Sequence, residues 1–155
     1  MLGMAQDLQL DTEKAKVSFV FVSEEVEGSV SGIDATLSLN LSDLSNSSVE
    51  GSAKVATLTT GNKMRNKHLK SKEYFDVDNY PKMSFKSSSV YKKGEEYFTT
   101  GTITIKGVSV EVTFKMVMKD SVLVMTATIN AADFGVSPKK PEKSNVDITI
   151  EVPFS

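Results

Sequence analysis

Nine residues, VEVTFKMVM from Val110 to Met118, carry the alternation that decides the fold. Apolar side chains occupy every second position: Val110, Val112, Phe114, Met116 and Met118. Polar residues stand between the first four of them: Glu111, Thr113 and Lys115. Because successive side chains of a strand point to opposite faces, this pattern predicts a β-strand with one buried and one exposed face.

The same period of two recurs along the chain, in about eight segments separated by turn-forming residues. The other residues predicted to point inward are Val17, Phe19, Phe21, Ile33, Ala35, Leu37, Leu39, Val49, Gly51, Ala53, Val55, Met83, Phe85, Ile103, Ile105, Leu123, Met125, Ala127, Ile129, Val146, Ile148, Ile150 and Val152. One apolar face per strand and short links favour an all-β fold, an eight-stranded antiparallel up-and-down barrel of the lipocalin-like kind. A two-sheet sandwich is the alternative.

Residues 59–85, TTGNKMRNKHLKSKEYFDVDNYPKMSF, interrupt this alternation. Residues 62–74 are good helix formers, so we predict a short helical insert between strands 3 and 4. Helical spacing places Arg65, His68 and Leu69 on one face, which we expect to cover an end of the barrel. A second face carries Lys63, Lys67 and Lys70. The insert is either a mobile lid over a pocket mouth or a fixed plug.

The length of 155 residues and a hydrophobic content of 39% fit one domain, assigned to residues 11–155. Near the start of the chain, Gly3 and Ala5 have the small-x-small spacing of a signal-peptidase site. We therefore predict that residues 1–10 are a signal-peptide remnant with a disordered start, and that the protein is periplasmic or secreted. An ordinary chain start is the other interpretation.

Composition argues against several classes of function. The net charge of -2 comes from interspersed acidic and basic residues, which predicts no nucleic-acid partner. With no cysteine and a single histidine, His68, the chain shows no signature of a catalytic centre, and we predict no catalytic residues. Asp76 and Asp78 begin like a calcium loop, but Pro81 and Ser87 replace its required Gly and Glu, so we predict neither a metal nor a cofactor.

Three segments resemble blocks of the YceI-like, lipocalin-like polyisoprenoid-binding family. Residues 60–87 resemble its TGN-x-x-RD-x-HL signature, residues 101–113 (GTITIKGVSVEVT) resemble a second block, and residues 133–136 (DFGV) a third. The chain departs from the family pattern at Lys14, Ala15, Asn66 and Ala131. The resemblance implies an exported barrel that holds a long isoprenoid or other lipid chain, and it makes a homodimer plausible.

We expect the lumen to bind the chain of an isoprenoid, an isoprenoid quinone or a fatty-acid derivative. Flexible methionines and the small Gly51 and Ala53 on inward faces suit a flexible guest and leave volume unfilled. The candidate lumen residues are Phe19, Phe21, Leu37, Phe85, Ile103, Phe114, Met116, Met125 and Ile148. The candidates for the mouth and the head group are Lys63, Arg65, Lys67 and His68, and the lysines are also candidates for peripheral membrane contact.

Two other functions stay open from the sequence. One is a structural or stress-response interaction module with a packed barrel, acting through its basic insert rather than through a lipid. The other is an enzyme on a lipid, with His68 as a base. A lumen solidly filled by the protein's own side chains would favour the interaction module.

Overall fold

The computed structural model describes residues 6–7, 9–40, 42–136 and 141–154. Eight antiparallel strands form the barrel, and one α-helix, α1, lies between β3 and β4. The strands are β1 Lys16–Phe21, β2 Val26–Leu39, β3 Ser48–Thr59, β4 Lys82–Lys93, β5 Glu96–Ile105, β6 Val108–Lys119, β7 Val122–Asn130 and β8 Asn145–Pro153, and α1 is Lys63–Lys70. The predicted architecture, including the place of the helical insert, is confirmed.

The sheet closes on itself. Neighbouring strands pair in the order β2-β1-β8-β7-β6-β5-β4-β3, and β3 pairs again with β2, where Leu37 lies opposite Val49. The first and last strands meet where Phe19 lies opposite Ile148. Because this pairing leaves the eight strands without an open edge, the fold is a barrel rather than a two-sheet sandwich.

A short N-terminal segment completes the wall beside β2. The fourteen-residue β2 is longer than the six-residue β1, and the two-residue strand Gln6–Asp7 pairs with the far end of β2. Leu10 forms an isolated bridge with Phe154 after the end of β8. The residues of the predicted signal-peptidase pattern, Gly3 and Ala5, lie outside the described residues.

Most residues predicted to point inward are buried or half-buried. The alternation nevertheless changes phase inside β2, β3 and β4, where Val30, Leu58 and Val90 are buried at positions not predicted to point inward. Phe114 at the centre of β6 is fully buried, and its ring meets that of Phe85 edge to face, with centroids 5.0 Å apart. Met118 departs from the prediction because it lies near the end of β6, where the lumen is open, and 43% of its surface is exposed. The inward side chains form one continuous apolar core.

Gly101 is required by the close approach of β4 to β5. The pairing of these strands shifts register between Ser87 and Ser89, directly opposite Gly101. A Cβ atom on Gly101 would lie 2.3 Å from the carbonyl oxygen of Lys86 and 2.8 Å from Cζ of Phe85. The register shift between β4 and β5 and the packing of the Phe85 ring therefore both depend on the absence of a side chain at position 101.

In the described part of the chain, no helix combines the length and apolar character needed to cross a membrane. The helix α1 has eight residues.

We predict that Gly101→Ala lowers the free energy of unfolding by about 1–3 kcal/mol, because the added methyl group overpacks the β4–β5 contact. Urea unfolding monitored by circular dichroism measures this loss. Thr102→Ala is the matched control, since the Thr102 side chain is exposed on the outer face of the same strand. Equal unfolding midpoints for the two variants would contradict the prediction.

Candidate functional site: the lumen and its two ends

A cavity of about 110 Å³ lies inside the barrel. Small side chains on β2 and β3 create it, since Ala35 lies opposite Gly51 and Ala53 lies opposite Met83. Its lining includes Leu10, Val17, Ile33, Ala35, Leu37, Val49, Gly51, Ala53, Met83, Phe85, Ile103, Ile105, Phe114, Leu123, Met125, Ile148, Ile150 and Val152. Four polar residues of β2 to β4 also border it: Thr36, Glu50, Ser52 and Ser84.

A second cavity, of about 50 Å³, lies closer to the helix end of the barrel. Every residue that lines it is apolar: Val17, Phe19, Phe21, Val30, Leu58, Phe75, Met83, Ile105, Ile129, Ala131, Val136, Val146 and Ile148. Both cavities are lined by Val17, Met83, Ile105 and Ile148. The two spaces are therefore in line along the lumen and separated by a few side chains.

Two segments close the helix end of the barrel. The first segment follows α1 and buries Phe75 in the core. The second follows β7 and buries Phe134 and Val136. The backbone N–H of Phe75 donates to the Leu69 carbonyl, and Leu69 is the buried residue of α1. Lys106 Nζ donates to the Gly135 carbonyl at 3.0 Å, which joins the β5–β6 turn to the second segment. These contacts place the insert, together with the segment after β7, over the helix end of the lumen.

Hydrogen bonds within the TGN-x-x-R segment fix the start of α1. The Asn62 side chain accepts from the backbone N–H of Arg65, as an N-cap residue does. Arg65 Nε donates to Thr60 Oγ1 at 2.9 Å, and its Nη2 donates to the Thr60 carbonyl. Asn66 Oδ1 accepts from both the N–H and the hydroxyl of Thr60, and Asn66 Nδ2 donates to Thr59 Oγ1. Arg65 and Asn66 therefore attach the helix to the end of β3.

The other predicted mouth residues lie on the outside of α1. Lys63, Lys67 and His68 are exposed, and none of them lines either cavity. His68 forms no side-chain hydrogen bond within the described residues.

The opposite end of the barrel carries a wider opening, which we call the hairpin groove. It encloses about 490 Å³ and is lined by Leu39, Val90, Glu95, Glu96, Tyr97, Lys115, Met116, Val117, Met118 and Leu123. Glu95 lies in the β4–β5 turn, and the others belong to the ends of β2, β4 and β6 and to the starts of β5 and β7. Since α1 precedes β4 and the groove lies where β4 ends, the two features are at opposite ends of the barrel.

All nine predicted lumen residues line one of these three spaces. The first cavity is lined by Leu37, Phe85, Ile103, Phe114 and Met125, the second by Phe19 and Phe21, both by Ile148, and the hairpin groove by Met116. Sequence reasoning missed Phe75, Phe134 and Val136, which close the helix end. These residues lie outside the strands, so no alternation marked their burial.

The lumen offers apolar contact rather than acid–base chemistry. Among the described residues, every buried side-chain nitrogen and oxygen has a hydrogen-bond partner. The hydroxyl of fully buried Thr99, for example, donates to the Ser89 carbonyl at 2.9 Å. The same residues contain no group of three or more His, Asp or Glu side chains placed to hold a metal ion. A guest in the lumen would be held by packing and desolvation.

Comparison with known sequences finds relatives in several bacteria. A UPF0312 protein of Photorhabdus laumondii is 35% identical over 82 residues, which span 53% of this chain and 43% of that protein. A UPF0312 protein of Pseudomonas savastanoi is 30% identical over 165 aligned positions, which cover 96% of this chain and 85% of that protein.

Solved structures share the fold. BcnA of Burkholderia cenocepacia superposes with a TM-score of 0.79 at 25% identity, covering 93% of this chain and 98% of that one. A polyisoprenoid binding domain from Saccharophagus degradans superposes with a TM-score of 0.61 at 11% identity, covering 96% and 97%. Residues 8–155 match the YceI-like domain. This chain therefore belongs to the family of YceI-like domains.

Proposed function

We propose that this protein is a non-enzymatic carrier or scavenger of a long apolar chain, an isoprenoid, an isoprenoid quinone or a fatty-acid derivative. The observation that carries the proposal is the pair of apolar cavities aligned inside a closed barrel. The structural similarity to a polyisoprenoid binding domain supports this class of ligand. Desolvation of the apolar tail would drive binding, at roughly 25 cal/mol per Å² of apolar surface buried.

The empty lumen itself favours a ligand. Unfilled volume in a protein core is destabilising, by about 24 cal/mol per Å³ in one mutant series, so the unfilled volume of the lumen lowers the stability of the ligand-free barrel. A guest that fills the void recovers part of this free energy, and a ligand that binds only the folded state stabilises it further. Ligands that bind with higher affinity should therefore raise the free energy of unfolding by a larger amount.

The size of the cavities implies that a long chain rearranges the lumen. An apolar cavity of about 150 Å³ holds one benzene molecule, so the larger cavity has room for about one isoprene unit. Met83 lines both cavities and is the most flexible of the side chains that separate them. We infer that rotation of Met83 joins the cavities into one channel when a chain binds.

The alternative, an interaction module with a packed barrel, receives less support because the lumen contains unfilled volume. An enzyme that acts on a lipid through His68 receives less support as well, because His68 lines neither cavity. Membrane contact through Lys63 and Lys67 stays a prediction, as does a homodimer.

We propose a periplasmic or secreted location on the spacing of Gly3 and Ala5, and cell fractionation of the full-length protein tests it.

We predict that gently purified protein carries a lipid, which native mass spectrometry and organic extraction would identify. Added prenyl alcohols should bind with affinity that rises about tenfold or more per isoprene unit from geraniol to farnesol, because each unit buries five more carbons. The rise should level off once the lumen is full. Absence of any co-purified lipid, together with no uptake of geranylgeraniol, would remove the basis of the proposal.

A second prediction concerns the width of the lumen. Ala53→Leu should lower affinity for geranylgeraniol at least tenfold, because the larger side chain occupies the cavity. It should raise the free energy of unfolding of the ligand-free protein by about 1 kcal/mol, as cavity-filling substitutions commonly do. Isothermal titration calorimetry and urea unfolding measure the two effects.

The matched control for this substitution is Ala56→Leu, since Ala56 lies on the same strand with its side chain exposed. It should leave both the affinity and the stability within error of the unchanged protein. A folded Ala53→Leu variant that binds geranylgeraniol as well as Ala56→Leu would show that the chain does not occupy this cavity.

A further inference from the structure

We propose that the apolar chain enters the barrel through the hairpin groove, at the end opposite α1, and that its polar end group, an uncharged one, stays in that groove. This inference rests on the proposed function, because it assigns the route and the head-group site for the same ligand. The sequence had placed both at the helix end, on Lys63, Arg65, Lys67 and His68.

The helix end is less suited to an apolar chain. A cavity of about 420 Å³ beside it shares Phe19 with the smaller lumen cavity, but most of its other lining residues are polar or charged, among them Lys16, Glu27 and Thr60. Phe75 and Phe134 are buried there, and the segments that carry them are hydrogen-bonded to α1 and to the β5–β6 turn. Arg65 is engaged by Thr60 rather than directed at a guest. Passage at this end would require several of these contacts to break together, whereas the groove is open already.

The groove adjoins the lumen. Leu123 lines both the groove and the larger cavity. On one face of β2, Leu37 lines the larger cavity, and Leu39, two residues further along, lines the groove. Met116 lines the groove and lies opposite Met125, which lines the cavity. A few flexible side chains therefore separate the two spaces, and their rotation would let a chain pass.

The groove has the make-up of a site for an amphipathic molecule. Its floor is apolar, with buried Met116 and Leu123, while Met118 and Tyr97 at the rim are 43% and 36% exposed. The Tyr97 ring faces Lys92, whose Nζ lies 5.5 Å from the ring centroid. An apolar floor with a polar rim suits a ligand whose tail is buried while its polar end remains in contact with water.

The charges of the groove favour an uncharged head group. Its charged lining residues are Glu95, Glu96 and Lys115, and Lys115 Nζ lies 3.0 Å from Glu96 Oε2. The ion pair leaves the carboxylate of Glu95, which the ammonium group of Lys92 over the Tyr97 ring offsets. The groove therefore offers a diphosphate or a free carboxylate no net positive charge, whereas a hydroxyl or carbonyl group needs none.

The absence of native cysteine allows a direct test of the route. Met118→Cys places a single thiol at the groove, and Met64→Cys places one on α1, where Met64 is 78% exposed. Each variant is coupled to the same bulky maleimide, and uptake of radiolabelled geranylgeraniol is followed by rapid filtration. We expect the label at position 118 to slow uptake at least tenfold and the label at position 64 to leave the rate within twofold of the unlabelled protein.

Equal rates for the two labelled proteins, or slowing by the label at position 64 alone, would overturn the assignment of the route. The uptake rate of each labelled protein is compared with that of its own unlabelled variant, so an effect of the substitution itself is not counted, and circular dichroism checks that labelling preserves the fold. If the unchanged protein takes up no geranylgeraniol, the proposed function fails instead, so the two failures are distinguishable.

The head group is tested by comparing geranylgeraniol with geranylgeranyl diphosphate, which shares its chain. We expect the diphosphate to bind at least tenfold more weakly than the alcohol. Glu95→Gln should reduce this ratio of the two affinities. Glu111→Gln is the control and should leave the ratio unchanged, because Glu111 is exposed on β6 outside the groove. A diphosphate that binds as tightly as the alcohol, or a ratio that Glu95→Gln does not move, would overturn the uncharged head group.

Discussion

The pairing of β2 with β3 is the constraint on which the rest of the structure depends. It closes the sheet, so every inward side chain faces one shared lumen instead of a solvent-exposed face. The same pairing sets Ala35 directly opposite Gly51, and these residues cannot fill the space that larger side chains occupy elsewhere in the barrel. Closure and unfilled volume thus have the same origin, and the candidate site follows from both.

The two ends of the barrel differ because the two longest connections both lie at one of them. Between β3 and β4, and again between β7 and β8, the chain is long enough to place Phe75 and Phe134 over the lumen. At the other end, the β4–β5 and β6–β7 turns are tight, and the β2–β3 connection contributes only a short 3-10 helix, Leu44–Asn46. The asymmetry of loop length therefore decides which end stays accessible, and it gives the helical insert a structural role.

Much of this architecture could be predicted because strand alternation is a local signal. Phe19, Phe85 and Phe114 were placed on inward faces from their spacing alone, and the structure puts them in the lumen. The ends of the barrel depend instead on long-range contacts of irregular segments, where no period marks burial. Arg65 was expected to meet a head group, yet its guanidinium hydrogen-bonds to Thr60, a partner that only the folded backbone brings within reach.

The distribution of polar groups suggests how such a barrel would select its guest. Since the buried polar side-chain atoms among the described residues already have partners, the lumen can discriminate by length, width and flexibility but not by hydrogen bonding. Discrimination between head groups requires charged or polar side chains beside the ligand's head group. The hairpin groove has such side chains next to the lumen, those of Glu95, Tyr97 and Lys115. Capacity for the tail and choice of the head group would then be separate properties, one set by the small residues of β2 and β3 and the other by the hairpins.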